Sequence, residues 1–438
     1  MTDSPVQSRE LAASSESPRV GVLLIGMGAI ATTLVAGVEA IRRGIARPFG
    51  SLTQLEMVPS AEDPNQQVPL AEFLGLGSLD GLVFGGWDIN PGTGYDLAKH
   101  SGVLEPTLLE AVRPYLETIE PMPGIYDPQY LRRTEGRRVK PASSKYEQAQ
   151  AAREDIRAFK AKHKVDQIVV MWCGSTEIFL TPGPVHQTIP AFEAGMKAND
   201  AAIAPSMLYA WAALQEKCSF VNATPSLTVD LPALVQLAET NGCPISGKDL
   251  KTGQTLLKTI LAPGIKQRML GMEGWFSMNI LGNGDGAVLD DPAAFKTKEE
   301  SKLSVLSQIL EPERYPELYG DLSHQVKINY YKPRGDNKES WDNIDLTGWL
   351  GYPMQIKVNF LCRDSILAAP LLLDLALLSA AAQRAGLKGV QDWLAFYFKS
   401  PQVRQGQPEH DLSRQYNTLQ AMFRELHETL VAQPAAVR

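Results

Sequence analysis

The sequence predicts an α/β protein in which a mostly parallel sheet is wrapped by helices and a second, α+β region follows. Three observations carry this. Short apolar runs ending at glycines alternate with stretches of helical spacing, the pattern changes character after about Cys243, and long apolar segments return after Ser365. A chain of 438 residues has material for two or three domains.

Taken in order, residues 1–18 are rich in Ser, Glu and Pro and read as a disordered leader. Val20–Ile25 is a continuous apolar run that suits a strand buried on both faces, ending at Gly26. Apolar residues then follow helical spacing over 32–43. Residues 81–84 and 167–171 are further short apolar strands, with helices expected at 108–118 and 146–163, the second laced with i,i+4 charge pairs. Residues 244–360 hold a Gly-Asn-Gly-Asp turn, a Lys-rich helix and alternating strands at 326–331 and 354–360. Apolar helices are expected at 366–385 and 390–398.

Composition narrows the function. With 42 basic against 49 acidic residues and no basic block, the chain is a poor nucleic-acid binder. The four cysteines, Cys173, Cys218, Cys243 and Cys362, stand far apart, so neither a zinc knuckle nor a disulfide scaffold is implied. Reduced thiols point to the cytoplasm. The uncharged stretch 20–38 approaches bilayer length, but Gly21, Gly26, Gly28 and Gly37 interrupt it and an acidic leader precedes it. A second run, 366–382, is broken by Pro370 and Asp374. Both read as buried elements, with no membrane.

Gly26, Met27, Gly28, Ala29, Ile30 and Ala31 fit G-x-G-x-x-A between a strand and a helix. The first glycine permits the tight turn and the second lets backbone approach a pyrophosphate. The small third residue lets helix and strand pack closely. Amides at the helix start would hold the phosphates. The acidic residue expected about 20 positions on is missing, Glu56 being a poor substitute, so the motif does not choose between NAD and NADP. Asp88, in Gly85-Gly86-Trp87-Asp88 at the end of an apolar strand, falls near any cofactor or simply caps a turn.

The Lys251-Thr252-Gly253-Gln254-Thr255 turn opens a helical run and offers amides and hydroxyls to a phosphate monoester, or serves as an ordinary cap. Lys298 and Lys302 are spaced i,i+4 on one helix face, where repulsion lowers the pKa of each; such a pair also suits a solvated face. The six histidines show no metal-ligand spacing.

Taken together, these landmarks resemble the myo-inositol-1-phosphate synthase family over about residues 20–401. They include Gly85-Gly86-Trp87-Asp88, Gly124-Ile125-Tyr126-Asp127-Pro128, Leu208-Tyr209-Ala210, the turn at 251–255, Asn279-Ile280-Leu281-Gly282-Asn283, Ser301-Lys302 and Asp364-Ser365-Ile366-Leu367-Ala368. The resemblance implies a Rossmann-type NAD-binding domain built from both chain ends (19–243 and 362–438). A catalytic and tetramerising domain, 244–361, is inserted between them. It implies NAD-dependent cyclisation of D-glucose 6-phosphate to 1L-myo-inositol 1-phosphate, with NAD recycled. The alternatives are a related cyclase acting on fructose 6-phosphate or another sugar phosphate, and a non-catalytic NAD or sugar-phosphate sensor.

By position, Lys298, Lys302, Lys338 and Lys399 would be the catalytic lysines. Gly26, Gly28, Ala29, Ile30, Asp88, Ile125, Gly174, Ser175, Asp249, Asn283, Asp285, Asp336, Asp364 and Ser365 would line the cofactor. Thr252, Gly253, Gln254, Thr255 and Asn279 would take the phosphate. Family members differ in whether a divalent or monovalent cation assists, and a homotetramer is implied. The chain departs from the eukaryotic pattern at 28–32, at Cys173-Gly174-Ser175-Thr176-Glu177, and at Lys248, Leu256 and Gly284.

Overall fold

In the computed structural model, residues 18–132, 134–282 and 305–432 are described. The strands are β1 Val20–Ile25, β2 Met57–Pro59, β3 Gln67–Pro69, β4 Leu82–Asp88, β5 Met122–Pro123, β6 Gln167–Trp172, β7 Ser219–Asn222, β8 Pro244–Ser246, β9 Gly271–Leu281, β10 Ser323–Tyr330, β11 Asn337–Thr347, β12 Pro353–Arg363 and β13 Gly389–Val390. Seven of them form a sheet in the order β13-β8-β7-β6-β1-β4-β5. Every pairing in it is parallel.

The apolar run in β1 reads as expected, because all six residues are buried. Val22 and Leu24 enter a core shared with the helices Ala29–Arg42 and Asp364–Arg384. Leu23 and Ile25 enter the opposite core, against the helices Lys145–His163 and Pro205–Gln215. Both faces are therefore covered by helices, as a parallel sheet requires. Gly86 is needed where β4 passes β1: a Cβ there would lie 2.0 Å from the Leu24 carbonyl oxygen.

Two expectations need correction. Residues 390–398 are not a helix, because the Gly389 and Gln391 amides donate to Cys243 and Ile245 at the sheet edge. The segment forms β13 and then a 3₁₀ turn, Asp392–Tyr397. Pro244–Ser246, which the pattern put in the second region, pairs in the parallel sheet as β8. The expected Lys-rich helix around Lys298 and Lys302 lies outside the described residues.

The second sheet, β10-β9-β11-β12, is mixed: β10 runs parallel to β9, and β11 antiparallel to β9 and β12. One face buries Trp275, Ile344 and Leu346 against Ala262 and Ile265 of the helix Gln254–Gln267. On that face the buried side chains of β11 alternate as Lys338, Ser340, Asp342 and Ile344. Polar residues thus occupy the end nearest the first domain, and apolar ones the far end.

Among the described residues one helix, Asp364–Arg384, is long and apolar enough to cross a bilayer, and 78% of its apolar window is buried inside the fold. Its one buried acid explains why it belongs there. Asp374 accepts from the Ser51 hydroxyl at 2.6 Å, the Leu52 amide at 2.8 Å, and the Thr53 amide and hydroxyl at 3.0 and 2.6 Å. It thereby caps the turn Leu52–Leu55 from across the core. Burial still raises its pKa, against the pull of those donors. Asp374→Leu strands these four donors and the Tyr397 hydroxyl, which donates to Asp374 at 3.4 Å, each worth about 1–3 kcal/mol when buried and unpaired. A large fall in melting temperature by scanning calorimetry is expected; a wild-type melting temperature would contradict the capping role.

Candidate active site

Two helices begin at glycine N-caps that carry no side-chain cap, Gly28 and Gly253. The first is Ala29–Arg42, with no acid in its first turn. Gly26 has φ +84° and donates its amide to the Trp87 carbonyl at 2.9 Å, and a Cβ on it would strike Gly174 Cα at 2.7 Å. A Cβ on Gly28 would meet nothing within 4 Å. The turn is thus pinned on its inner side and open on its outer side, beyond the carboxyl ends of β1, β4 and β6, which is the cradle a dinucleotide pyrophosphate needs. Asp88, buried at the end of β4, accepts from Asn90 at 2.8 Å and from the Met27 amide, and burial outweighs these to raise its pKa. It braces the turn. Ile125 donates its amide to the Tyr209 oxygen at 2.7 Å, and Gly174 packs its Cα against Gly26. Ser175, half-buried, follows in the same loop. Glu56 accepts from Tyr416 at 2.9 Å and is committed there.

The second N-terminus is that of Gln254–Gln267, with Gly253 as N-cap. Its approach is fixed by pairing between distant segments. Lys248 and Ser400 exchange amide bonds of 2.9 and 3.2 Å, the Lys399 amide donates to Asp249 at 2.7 Å, and the Lys251 amide donates to Tyr397 at 2.8 Å. The Asp249 and Leu250 amides donate to Thr224 and Ala223 just past β7. This pairing brings Lys399 Nζ to Asp249 Oδ1 at 2.9 Å, both side chains buried.

Across from Gly253 stands the second lysine. Lys338 Nζ lies 2.6 Å from Asp364 Oδ2, and Thr252 Oγ1 donates to Asp364 Oδ1 at 3.2 Å. A Cβ on Gly253 would sit 3.8 Å from Lys338 Nζ and 3.9 Å from Asp364 Oδ1. Asp364 opens the helix Asp364–Arg384, where a negative charge suits the dipole. Ser365 donates to Asp336 at 3.4 Å, both buried.

The structure therefore brings Lys338, Lys399, Asp249, Asp336, Asp364, Ser365 and the 252–255 turn together. Lys298, Lys302, Asn283 and Asp285 lie outside the described residues. Gln254 lends the site only its backbone, because its side chain bonds Asp342, Met278 and Asn279. Lys248 turns away to Asp230, at 2.7 Å.

Sequence reasoning missed four buried groups close to the turn. Lys251 sits over Phe396 at 5.6 Å and donates to Gln415, and burial pushes its pKa down to about 7. His410, buried nearby, is pushed down to about 4, by burial and then by Lys251. Lys258 lies 2.6 Å from His324 Nε2. Asp342 gathers donors from three side chains. Only the position of Lys251 inside the turn motif hinted at any of this, since nothing in the sequence says that these polar residues are buried.

Comparison with known proteins agrees with this arrangement. The family model described as "Myo-inositol-1-phosphate synthase" matches residues 20–424. The chain is 50% identical over 411 residues to "Inositol-3-phosphate synthase 1" of Bacteroides thetaiotaomicron, covering 93% of this chain and 95% of that protein. It is 33% identical to "Inositol-3-phosphate synthase" of Mesembryanthemum crystallinum, over 93% of this chain and 85% of that one. The crystal structure of inositol-3-phosphate synthase from Caenorhabditis elegans superimposes with a TM-score of 0.86 at 28% identity, covering 94% of this chain and 86% of that one.

The buried lysine gives a pH prediction. Lys251 is neutral in the fold above about pH 7, whereas the unfolded chain holds its proton until the ordinary lysine value of 10.5. Between these values the unfolded state binds more protons, so stability rises with pH. In Lys251→Met that rise is expected to shrink between pH 7 and 9, read as melting temperature against pH. An identical slope in the two proteins would show that Lys251 stays charged.

Proposed function

Because this chain belongs to the myo-inositol-1-phosphate synthase family, we propose that the space between its two helix N-termini is the site of ring closure and that its paired lysines carry the proton transfers. The protein is an NAD-binding isomerase that cyclises D-glucose 6-phosphate to 1L-myo-inositol 1-phosphate. NAD, when bound, would supply a hydride acceptor for C5 and the hydride for its later re-reduction, which leaves no net redox change. Gly26, Gly28, Ala29 and Ile30 hold its pyrophosphate, with Asp88, Ile125, Gly174 and Ser175 shaping the loops around it. Asn283, Asp285, Asp336, Asp364 and Ser365 complete the nicotinamide side.

The observation that carries the substrate side is the placement of Gly253. A helix N-terminus with free amides faces a lysine about 4 Å away, which suits a phosphate monoester. The amides at 252–255 take that phosphate. Once C5 is a ketone, the C6 proton is acidified, and its loss gives an enolate that attacks the C1 aldehyde. Lys338 stabilises charge at the C5 oxygen while Asp364 holds the ammonium in place, 2.6 Å away. Lys399, held by Asp249, does the same at the C1 oxygen and the phosphate, with Lys302 beside it. Lys298 moves the C5 hydroxyl proton.

The open face of the β10-β9-β11-β12 sheet supports a homotetramer. Trp349, Leu350 and Tyr352 in the β11–β12 turn are 86, 77 and 70% exposed, and Leu361 and Trp341 add exposed apolar area on the open face. Four cysteines, none of them in a disulfide, fit work in the cytoplasm.

Incubation with NAD and glucose 6-phosphate, with and without EDTA, is expected to give inositol phosphate by NMR and no net NADH by absorbance. Net NADH, or no cyclitol, would overturn the reading. Lys298→Ala and Lys338→Met are each expected to lower kcat at least about 100-fold with NAD affinity unchanged by calorimetry; near wild-type turnover would remove that lysine from the mechanism. Trp349→Asp is expected to lower the mass measured by light scattering, and an unchanged mass would show that this face is not the interface.

A further inference from the structure

We infer that Glu177 is a positioning residue for the cofactor: its buried carboxylate caps the helix Pro205–Gln215 and so fixes Tyr209, which holds the loop carrying Ile125. This inference rests on the NAD reading of the site and adds to it a residue that acts through others.

Glu177 stands in the loop after β6, three residues beyond Gly174, and is 1% exposed. The helix Pro205–Gln215 begins at Ala204, which offers no side-chain cap. Glu177 supplies the missing acceptor from another loop. The Ser206 amide donates to its Oε1 at 2.9 Å, and the Ser206 hydroxyl donates to its Oε2. A carboxylate facing free amides in a first turn is favoured by the helix dipole. Burial still pushes the Glu177 carboxyl up to about 7, against the pull of those donors. The Ser206 hydroxyl also lies 3.5 Å from the Leu227 carbonyl oxygen. It can turn its hydrogen there and accept from a protonated Glu177, so both contacts survive in either protonation state.

Tyr209 lies three residues along the same helix. Its ring packs on Trp87 at the end of β4 and on Trp172 at the end of β6, with centroids 5.2 and 6.1 Å away. Its oxygen accepts the Ile125 amide at 2.7 Å, and the Trp87 carbonyl accepts the Gly26 amide of the glycine turn. A bond made at the start of the helix is thus carried by one rigid turn to the loop after β5 and to the strand beside the cofactor turn. The backbone of Glu177 makes a separate tie, its amide donating to Ser226 Oγ at 3.1 Å in the loop after β7. That tie does not need the carboxylate, so a change of side chain isolates the arm that runs through Ser206. The substrate side is built from other bonds, Lys338 to Asp364 and Lys399 to Asp249.

A double-mutant cycle tests the relay. NAD affinity would be measured by calorimetry on wild type, Glu177→Leu, Tyr209→Phe and the double variant, with the KM for glucose 6-phosphate taken at saturating NAD. Each single variant is expected to weaken NAD about tenfold, and the double variant no more than about twofold further, because both act on the Ile125 loop. The KM is expected to stay within about twofold throughout. Glu177→Gln is expected to bind NAD as wild type does, since its amide keeps both Ser206 contacts. Losses that multiply in the double variant would overturn the assignment. So would unchanged NAD affinity in Glu177→Leu, an equal rise in KM, or a Glu177→Gln protein as weak as Glu177→Leu. If Glu177→Leu does not fold, Ser206→Ala decides: it removes one of the two contacts, and wild-type NAD affinity there would refute the relay. Failure of wild type to bind NAD would instead strike the cofactor reading.

Discussion

The site depends on the backbone pairing of residues 247–251 with 397–402. Gly247 accepts from the Gln402 amide at 2.7 Å, Lys248 and Ser400 exchange bonds, and Asp249 and Lys251 follow with Lys399 and Tyr397. These segments lie about 150 residues apart in sequence, so closing the loop between them has an entropic cost that only the surrounding core can offset. With the pairing in place, three consequences follow without further adjustment. Lys399 meets Asp249, the helix Gln254–Gln267 starts in one fixed direction, and Gly253 faces Lys338. The same stretch is tied to β7 through Thr224 and Ala223, so the turn at 252–255 is carried on the parallel sheet and aimed into the second sheet.

Charge placement follows one rule across the site. Each of the two described lysines in the candidate site has a carboxylate partner, Lys338 with Asp364 and Lys399 with Asp249. Removing either partner would leave a buried charge uncompensated, which is why such pairs hold position even when their net contribution to stability is small. Lys251 breaks the rule. It has an amide and an aromatic face in place of an acid, and burial accordingly favours its neutral form. It ties the turn to the C-terminal helix through Gln415 rather than offering charge to the ligand.

Much of this was legible in the sequence because it rests on local pattern. The apolar run of β1, the glycine turn after it and the helix beginning at Ala29 are neighbours in the chain, and the period of each shows directly. The turn at 251–255 read equally as a phosphate turn or an ordinary cap, and the two described lysines were legible only through resemblance, since their meeting is a property of long-range pairing. What stayed hidden was burial of polar groups. Asp374 looked like a break in an apolar helix, yet its carboxylate holds the Ser51–Thr53 turn. Residues 390–398 carried helical apolar spacing, but amides at the sheet edge drew the first of them into a strand. The bonds that tie Gln254 to Asp342, Met278 and Asn279 could not be read at all, because they join a helix to two adjacent strands.

The central claim is that one site removes a hydride from the substrate and gives the same hydride back after ring closure. Glucose 6-phosphate carrying deuterium at C5 tests this most directly. The account predicts full retention of deuterium on the corresponding ring carbon of the inositol phosphate, with none passing to solvent or to an added pool of unlabelled NADH. Loss of the label, or its appearance in free reduced nucleotide, would contradict it.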